Sequence, residues 1–161
     1  MARLLIVHHA PTATVRALAD AVVAGAHDDA IEGVEVVVRE ALEARAADVL
    51  AADGYLLGTP ANFGYMSGAL KHFFDTIFLE AGGALADDGS AGAADGGRKP
   101  FGLWVHGRYD TTGAVRSVES IVHALGWRQS AEVLAVLGDV GTAEREAAYE
   151  LGGTLAALLA G

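Results

Sequence analysis

The chain has 161 residues, 52% of them hydrophobic and 20% charged, which is enough to bury the core of one domain and argues against disorder. It contains no cysteine, which excludes disulfides, iron–sulfur clusters, thiolate zinc sites and thiol catalysis. The 21 acidic and 11 basic residues give a net charge of −10, which opposes binding to nucleic acid and to anionic membranes.

The first third of the chain alternates apolar runs with amphipathic helices. An uninterrupted apolar run at 4–7 is typical of a strand buried on both faces. It is too short for a signal peptide, and no run reaches the length of a membrane span, so we expect a cytoplasmic protein. Helical spacing of apolar residues follows at 15–26, a β-branched run at 34–38 predicts a second strand, and a short helix is predicted at 44–51.

The same alternation continues to the end of the chain. Further strands are predicted at 55–58, 101–105 and 133–137, and further helices at 66–77, 115–125 and 147–159. The fourth helix ends before Gly126, a residue suited to the end of a helix. This order predicts one domain over 1–161, an α/β fold built as a three-layer α/β/α sandwich around a five-stranded parallel sheet.

Residues 81–99 depart from this order because they are rich in Gly, Ala and Asp. The composition indicates a flexible, acidic insert. We interpret it as a surface loop, with a lid or an oligomer contact near the site as the alternative.

Three loops follow the carboxyl ends of predicted strands, where open α/β sheets bind ligands. In the first, the hydroxyls of Thr12 and Thr14 and the free amides of a helix N-terminus could hold a phosphate, or Thr12 could simply cap the helix. It lacks the glycines and lysine of a Walker A loop and the Rossmann fingerprint. In the second loop, Phe63 stands in a turn, where a large apolar side chain is not needed for packing.

The third loop, at 106–113, offers an aromatic ring and a cation. Tyr109 could stack on a flat ligand. Arg108 could attract an anionic cosubstrate such as NADPH, or be a solvated surface charge. A metal site is not expected, because His8 and His9 are adjacent on a strand and point to opposite faces.

The sequence Gly-Thr-Pro-Ala-Asn-Phe-Gly-Tyr-Met at 58–66, with Leu-Lys-His-Phe-Phe-Asp at 70–75, resembles the second flavin loop of a known family. This family is the flavodoxin-like, WrbA-type NAD(P)H:quinone oxidoreductases and the related NADPH-dependent FMN reductases. The strand and helix order extends the resemblance over nearly the whole chain. It implies a flavodoxin-like fold with strand order 2-1-3-4-5 and FMN at the carboxyl ends of the strands.

The resemblance also assigns residues to the cofactor. It implies that the FMN phosphate is held by Ala10, Thr12, Ala13, Thr14 and Val15. It implies that the isoalloxazine ring lies along Pro60, Ala61, Asn62, Phe63 and Gly64, and that its other side is closed by His106, Gly107, Arg108 and Tyr109. The family loop usually begins with Ser or Thr and contains a glycine, whereas Ala10 and Ala13 stand at those places here.

The implied function is an FMN-dependent oxidoreductase that passes hydride from NADPH or NADH to the flavin and then electrons to a quinone-like or other small acceptor. No side chain is an obligatory acid or base, although His106 or Tyr109 could donate a proton to the acceptor. The resemblance implies a homodimer or homotetramer. Two alternatives stay open: a flavodoxin-type electron carrier, favoured by the acidic charge, and a flavodoxin-like module that has lost FMN, favoured by Ala10 and Ala13.

Overall fold

The computed structural model of the protein describes residues 1–81 and 98–161. Its strands are β1 (Ala2–His8), β2 (Val34–Glu40), β3 (Gly54–Asn62), β4 (Tyr65–Met66), β5 (Pro100–Gly107), β6 (Arg128–Gln129) and β7 (Leu134–Leu137). Its helices are α1 (Ala13–Ala26), α2 (Ala46–Ala51), α3 (Gly68–Ala81), α4 (Thr112–Ala124) and α5 (Thr142–Ala160).

The main sheet is parallel, with the order β2-β1-β3-β5 and with β6 and β7 both paired to β5 at the far edge. Counting the five predicted strands in chain order, this is the arrangement 2-1-3-4-5, so the predicted topology is confirmed. The predicted fifth strand is one residue shorter than expected: Val133 lies outside β7, which begins at Leu134. The start of β5 is paired instead with the two residues of β6.

Helices cover both faces of the sheet, as predicted. One buried apolar cluster joins the sheet to α1 and α5, and the other joins it to α2, α3 and α4. Trp104 lies in the first cluster, and Tyr55 and Phe73 lie in the second. Each of these large side chains is almost fully buried, a burial that contributes roughly 2–3 kcal/mol per side chain.

The start of α3 differs from the prediction. Met66 was expected in this helix but lies in β4, where it is buried. The helix begins after Ser67, because the Ser67 Oγ accepts a hydrogen bond of 3.2 Å from the Leu70 N–H. The Ser67 N–H in turn donates to Thr59 Oγ1 at 2.9 Å, and both of these side chains are fully buried. This buried pair of side chains ties the residue before α3 to β3 and so fixes where α3 begins.

Two other predictions concern chain segments. Gly126 follows α4 with a φ of 78°, which confirms it as the glycine that ends this helix. The predicted insert at 81–99 lies outside the described residues, apart from Ala81, Arg98 and Lys99.

A single domain over 1–161 stays a prediction. Neither described range contains a helix long and apolar enough to cross a membrane.

Candidate functional site

The three segments that were predicted to form a site lie at the ends of neighbouring strands. The structure extends β3 through Asn62 and β5 through Gly107, so the residues predicted at 60–62 and 106–107 lie in strands, because their backbone groups pair with the adjacent strands, and not in loops. β3 lies between β1 and β5, with His8 in register with Gly58 and Pro60 in register with His106. The His9 N–H donates to the Gly58 carbonyl at 3.1 Å, which holds the start of the first loop against β3. The structure therefore brings the carboxyl ends of the three strands to one edge of the sheet.

The second and third loops touch each other directly. A Cβ placed on Gly113, in the first turn of α4, would lie 2.0 Å from the carbonyl oxygen of Gly64. A Cβ on Gly107 would lie 3.2 Å from the Ala61 Cβ. The first approach is open only to a residue without a side chain, so Gly113 is required for the loops to meet in this way, whereas the second is a tight packing contact.

The turn between β3 and β4 is a strained two-residue hairpin. Phe63 and Gly64 have φ values of 52° and 74° between the paired residues Asn62 and Tyr65, which is typical of a type I′ turn. Asn-Gly is the favoured pair in such turns, and a bulky residue with positive φ is unusual. The Phe63 ring is nevertheless fully exposed, with a relative accessibility of 107%. A costly backbone that presents an unpacked aromatic ring points to binding.

A second aromatic ring stands on the third loop. Tyr109 is 94% exposed. The loop behind it is held to α4, because the Thr112 N–H donates to Asp110 Oδ1 at 2.9 Å. This hydrogen bond and that of the Thr112 hydroxyl lower the pKa of Asp110. The carboxylate therefore stays ionised while it anchors the loop.

The two remaining predicted residues of this loop have contacts with the segment after β7. The His106 side chain is only 5% exposed, and its Nε2 lies 2.7 Å from the Gly138 carbonyl oxygen. Arg108 is exposed, and its Nη1 lies 3.6 Å from Asp139 Oδ1. Such an exposed pair contributes little to stability. His106 thus belongs to the wall below the loop, and Arg108 to its rim.

The first loop is a capped helix start. Thr12 Oγ1 accepts a hydrogen bond of 3.3 Å from the Val15 N–H, so the capping interpretation of Thr12 holds. The first helical hydrogen bond runs from the Arg16 N–H to the Thr12 carbonyl. The N–H groups of Ala13 and Thr14 come before it and find no acceptor among the described residues. Two amides and the positive end of the helix dipole therefore face outwards.

The five residues predicted at this loop differ in exposure. Thr12 and Ala13 are exposed and Thr14 is half-buried, whereas the side chains of Ala10 and Val15 lie in the apolar cluster shared with α1 and α5. Only the first three can present a side chain to a ligand. Ala10 contributes its carbonyl oxygen, which accepts a hydrogen bond of 3.2 Å from Arg16 Nη2.

His8 is the last residue of β1, and His9 follows it. In the part of the chain that the structure describes, no three His, Asp or Glu side chains come together closely enough to hold a metal ion. His8 lies in register with Glu40, and its pKa is lowered, chiefly by burial. It is thus a half-buried residue beneath α1.

Sequence reasoning missed a cavity beside the strained turn. This cavity of about 380 Å³ lies between α3 and α4 and is lined by Tyr65, Lys71, Gly113, Arg116, Ser117, Ser120 and Ile121. A signal was present, because Gly113, Arg116, Ser117 and Ser120 share one face of a helix. Their meeting with Lys71 depends on how α3 and α4 pack, which helical spacing alone does not give.

Comparisons with known proteins give the family and the fold. The family model described as NADPH-dependent FMN reductase matches residues 8–137, which include all three loops. A curated flavodoxin from Aquifex aeolicus (strain VF5) is 34% identical over 85 residues, 53% of this chain. The match covers 45% of that relative, so it spans less than half of the relative's length.

Solved structures show the same fold at low sequence identity. A flavodoxin from the domain Archaea has a TM-score of 0.78 and 14% identity, with 98% of each chain covered. A WrbA-like flavodoxin from Agrobacterium tumefaciens has a TM-score of 0.75 and 17% identity, with 99% of this chain and 98% of that chain covered.

Proposed function

The chain belongs to the family of NADPH-dependent FMN reductases, and on this premise we propose that it binds FMN and moves electrons from NAD(P)H to a quinone-like or other small acceptor. The observation that carries the proposal is the convergence of three strand ends at one sheet edge, with the exposed rings of Phe63 and Tyr109 above it. Ligands of doubly wound α/β proteins bind at this edge.

The ring end of the site suits a flat, neutral heteroaromatic group. Phe63 and Tyr109 are exposed on two loops that touch through Gly64 and Gly113, and we propose that both rings border one slot. Stacking on aromatic faces favours a planar ligand whose polar edge is met by backbone amides. We propose that Pro60, Ala61 and Asn62 run along the isoalloxazine ring, and that Gly107 and Arg108 border its other side.

The phosphate end of the site suits a dianion. The N–H groups of Ala13 and Thr14 point out of the first turn of α1, and the hydroxyls of Thr12 and Thr14 can donate beside them. Backbone donors and the helix dipole bind phosphate without a lysine. The donor set therefore fits FMN, despite the alanines at positions 10 and 13, and we propose that it holds the phosphate.

The chemistry that FMN supplies when bound is two-electron transfer between a nicotinamide and a small acceptor. The chain's own residues would place the ring and shield one side of it. Of the two predicted proton donors, only Tyr109 is exposed, whereas the imidazole of His106 is held by the Gly138 carbonyl. We therefore assign proton donation to Tyr109. Tyr109→Phe should leave FMN affinity nearly unchanged and slow the reduction of a quinone.

The test is a titration of the purified protein with FMN, followed by oxidation of NADPH and of NADH by the loaded protein. The proposal expects saturable binding of one FMN per chain and steady NADPH or NADH oxidation when a quinone is supplied. Failure to take up FMN would refute the proposal. It would favour the alternative, a flavodoxin-like module that has lost FMN, which Ala10 and Ala13 support.

A second candidate function is a one-electron carrier. Its support is the similarity to the Aquifex aeolicus flavodoxin and the net charge of −10, which suits docking to a basic partner. A carrier would bind FMN and be reduced by dithionite, yet it would oxidise neither NADPH nor NADH at a useful rate. The same titration therefore separates the two functions.

We also propose a homodimer or homotetramer, because Phe63 and Tyr109 leave one side of the slot open to solvent and a second copy could cover it. Light scattering on the FMN-loaded protein gives the mass. A monomer at all concentrations would contradict this assembly without affecting FMN binding.

A further inference from the structure

A second concave surface begins where the ring end of the site stops. The cavity between α3 and α4, here called the α3–α4 groove, has a volume of about 380 Å³. Tyr65 and Gly113 lie at its edge, and Gly113 is the residue that touches the Gly64 carbonyl of the strained turn. A ligand that reaches the flavin slot from this side would extend along the groove.

The lining of the groove carries two cations, one of them paired with Asp75, in a chain whose net charge is −10. Lys71 and Arg116 contribute the two cations, and Ser117 and Ser120 add hydroxyls. None of the described residues that line it is Asp or Glu. Groups of this kind bind the oxygens of a phosphate ester, and the planar guanidinium of Arg matches two of them at once.

The two cations differ in whether they are already paired with an acidic side chain. Lys71 Nζ lies 2.7 Å from Asp75 Oδ1, and this hydrogen bond raises the pKa of Lys71, so the ammonium stays charged. Arg116 is exposed and makes no ion pair with any residue that the structure describes. Ser117 Oγ already donates to the Ala114 carbonyl, so it is left as an acceptor, while Ser120 is exposed. Arg116 is therefore the main donor to an anion.

We propose that the α3–α4 groove binds a phosphate group of the dinucleotide cosubstrate, with Arg116 as its principal ligand and Lys71 and Ser120 in support. The inference rests on the proposed function, since it concerns the NADPH that meets the flavin. It places the dinucleotide on the α3–α4 side of the slot, away from the first turn of α1 that is assigned to the FMN phosphate. The dinucleotide carries two kinds of phosphate, the diphosphate bridge and the 2′-phosphate of NADPH.

The experiment is isothermal titration calorimetry of the FMN-loaded protein with NADP⁺ and, separately, with NAD⁺. Arg116→Gln is expected to weaken NADP⁺ binding by about tenfold or more, because one charge-assisted contact is lost. Lys71→Gln is expected to have a smaller effect, because the ammonium is shared with Asp75. FMN affinity should stay within about twofold of the unmodified protein, since neither residue is among those assigned to the FMN phosphate or to the isoalloxazine ring.

Arg145→Gln is the matched control. Arg145 is an exposed arginine of α5, which lies on the other face of the sheet, so the change in net charge is the same. It should leave NADP⁺ affinity within about twofold. An equal loss for Arg116→Gln and Arg145→Gln would assign the effect to overall charge and overturn the proposal.

The outcomes separate the inference from the function on which it rests. If Arg116→Gln weakens NADP⁺ alone, the groove holds the 2′-phosphate; if it weakens NADP⁺ and NAD⁺ equally, the groove holds the diphosphate. If Arg116→Gln binds NADP⁺ as tightly as the unmodified protein, the proposal that the groove binds a dinucleotide phosphate is wrong. The proposed flavin function is not affected by that result. A loaded protein that binds neither dinucleotide overturns the groove together with NAD(P)H use, while its FMN binding remains as measured.

Discussion

The two ends of the candidate flavin site are built in opposite ways. At the phosphate end, ordinary local hydrogen bonds build the first turn of α1: Thr12 caps the Val15 N–H, and the Arg16 side chain donates to the Ala10 carbonyl, while the N–H groups of Ala13 and Thr14 have no acceptor among the described residues. Thr12 has a φ of −120°, in the ordinary extended region. At the ring end, Phe63 is held at a φ of 52° with its ring in solvent.

This difference shows where local folding preferences are enough and where they are overridden. Thr is a favoured capping residue before a helical run, so local preferences alone explain the conformation of the phosphate end, without a ligand. The Phe63–Gly64 turn opposes the intrinsic preference of Phe, and conflicts of this kind are expected at functional sites. We therefore expect flavin affinity to depend more on the ring end than on the phosphate end.

The largest effect on flavin affinity is expected at Phe63. Phe63→Asn creates the Asn-Gly pair favoured in type I′ turns, so the free energy of unfolding should rise by about 1 kcal/mol. FMN affinity should fall by about tenfold or more, because a stacking face is lost. Urea unfolding and FMN titration measure the two quantities. A variant that is less stable, or that binds FMN as tightly as before, would remove the argument from strain.

A smaller effect is expected where α4 supports the turn. Gly113→Ala would place a methyl group 2.0 Å from the carbonyl oxygen of Gly64, so the turn or the helix must move. We expect FMN and riboflavin affinity to fall together by about fivefold, because both depend on the ring end. The matched control is Gly68→Ala, also in the first turn of a helix, where a Cβ meets nothing within 4 Å. Equal affinities for the two variants would show that the contact does not position the turn.

A still smaller effect is expected at the phosphate end. Thr12→Ala removes the helix cap, which should lower the free energy of unfolding by about 1 kcal/mol. FMN affinity should fall by about threefold, while riboflavin, which has no phosphate, should bind as before. Thr12→Ser keeps the hydroxyl and should restore both quantities. A loss for Thr12→Ala larger than that for Phe63→Asn would reverse the ranking of the two ends.

The smallest effect is expected in the pH dependence of the free energy of unfolding, through the half-buried His8. Burial is the main cause that lowers the pKa of His8 below its ordinary 6.5; Arg16 and His9 act in the same direction, while Glu40 and Asp20 oppose it. Because the unfolded chain binds this proton more readily, the stabilising contribution is complete above pH 6.5 and is lost as the pH falls below it. His8→Gln should flatten this part of the curve in urea unfolding measured through the window. An unchanged curve would show that His8 is not the group responsible.

The fold was predictable from the sequence because its signals are local and repeated. The apolar runs of β1 and β5 and the helical spacing of α1 and α4 each lie within one element. The strand order came from the family resemblance. The short β4 was missed, because Phe63-Gly64 is not one of the dipeptides that signal a tight hairpin.

The convergence of the three strand ends was predictable, and the details of the candidate site were less so. The exposure of Phe63 and Tyr109 followed from their places in loops. The contact of Gly113 with Gly64 joins residues far apart in the chain, and the burial of the Ala10 side chain depends on how α1 and α5 pack on the sheet. Such facts follow from tertiary packing, which a single sequence does not encode locally.

The most direct test of the central claim is amide NMR of the protein as FMN is added. If the three strand ends form one flavin site, shifts should appear together in residues 10–16, 60–65 and 106–113, with the largest at the Phe63–Gly64 turn. The cavity at the opposite edge of the sheet, which Trp127 and Arg128 help to line, should show none. Shifts confined to that cavity, or absent from any one of the three loops, would contradict the account.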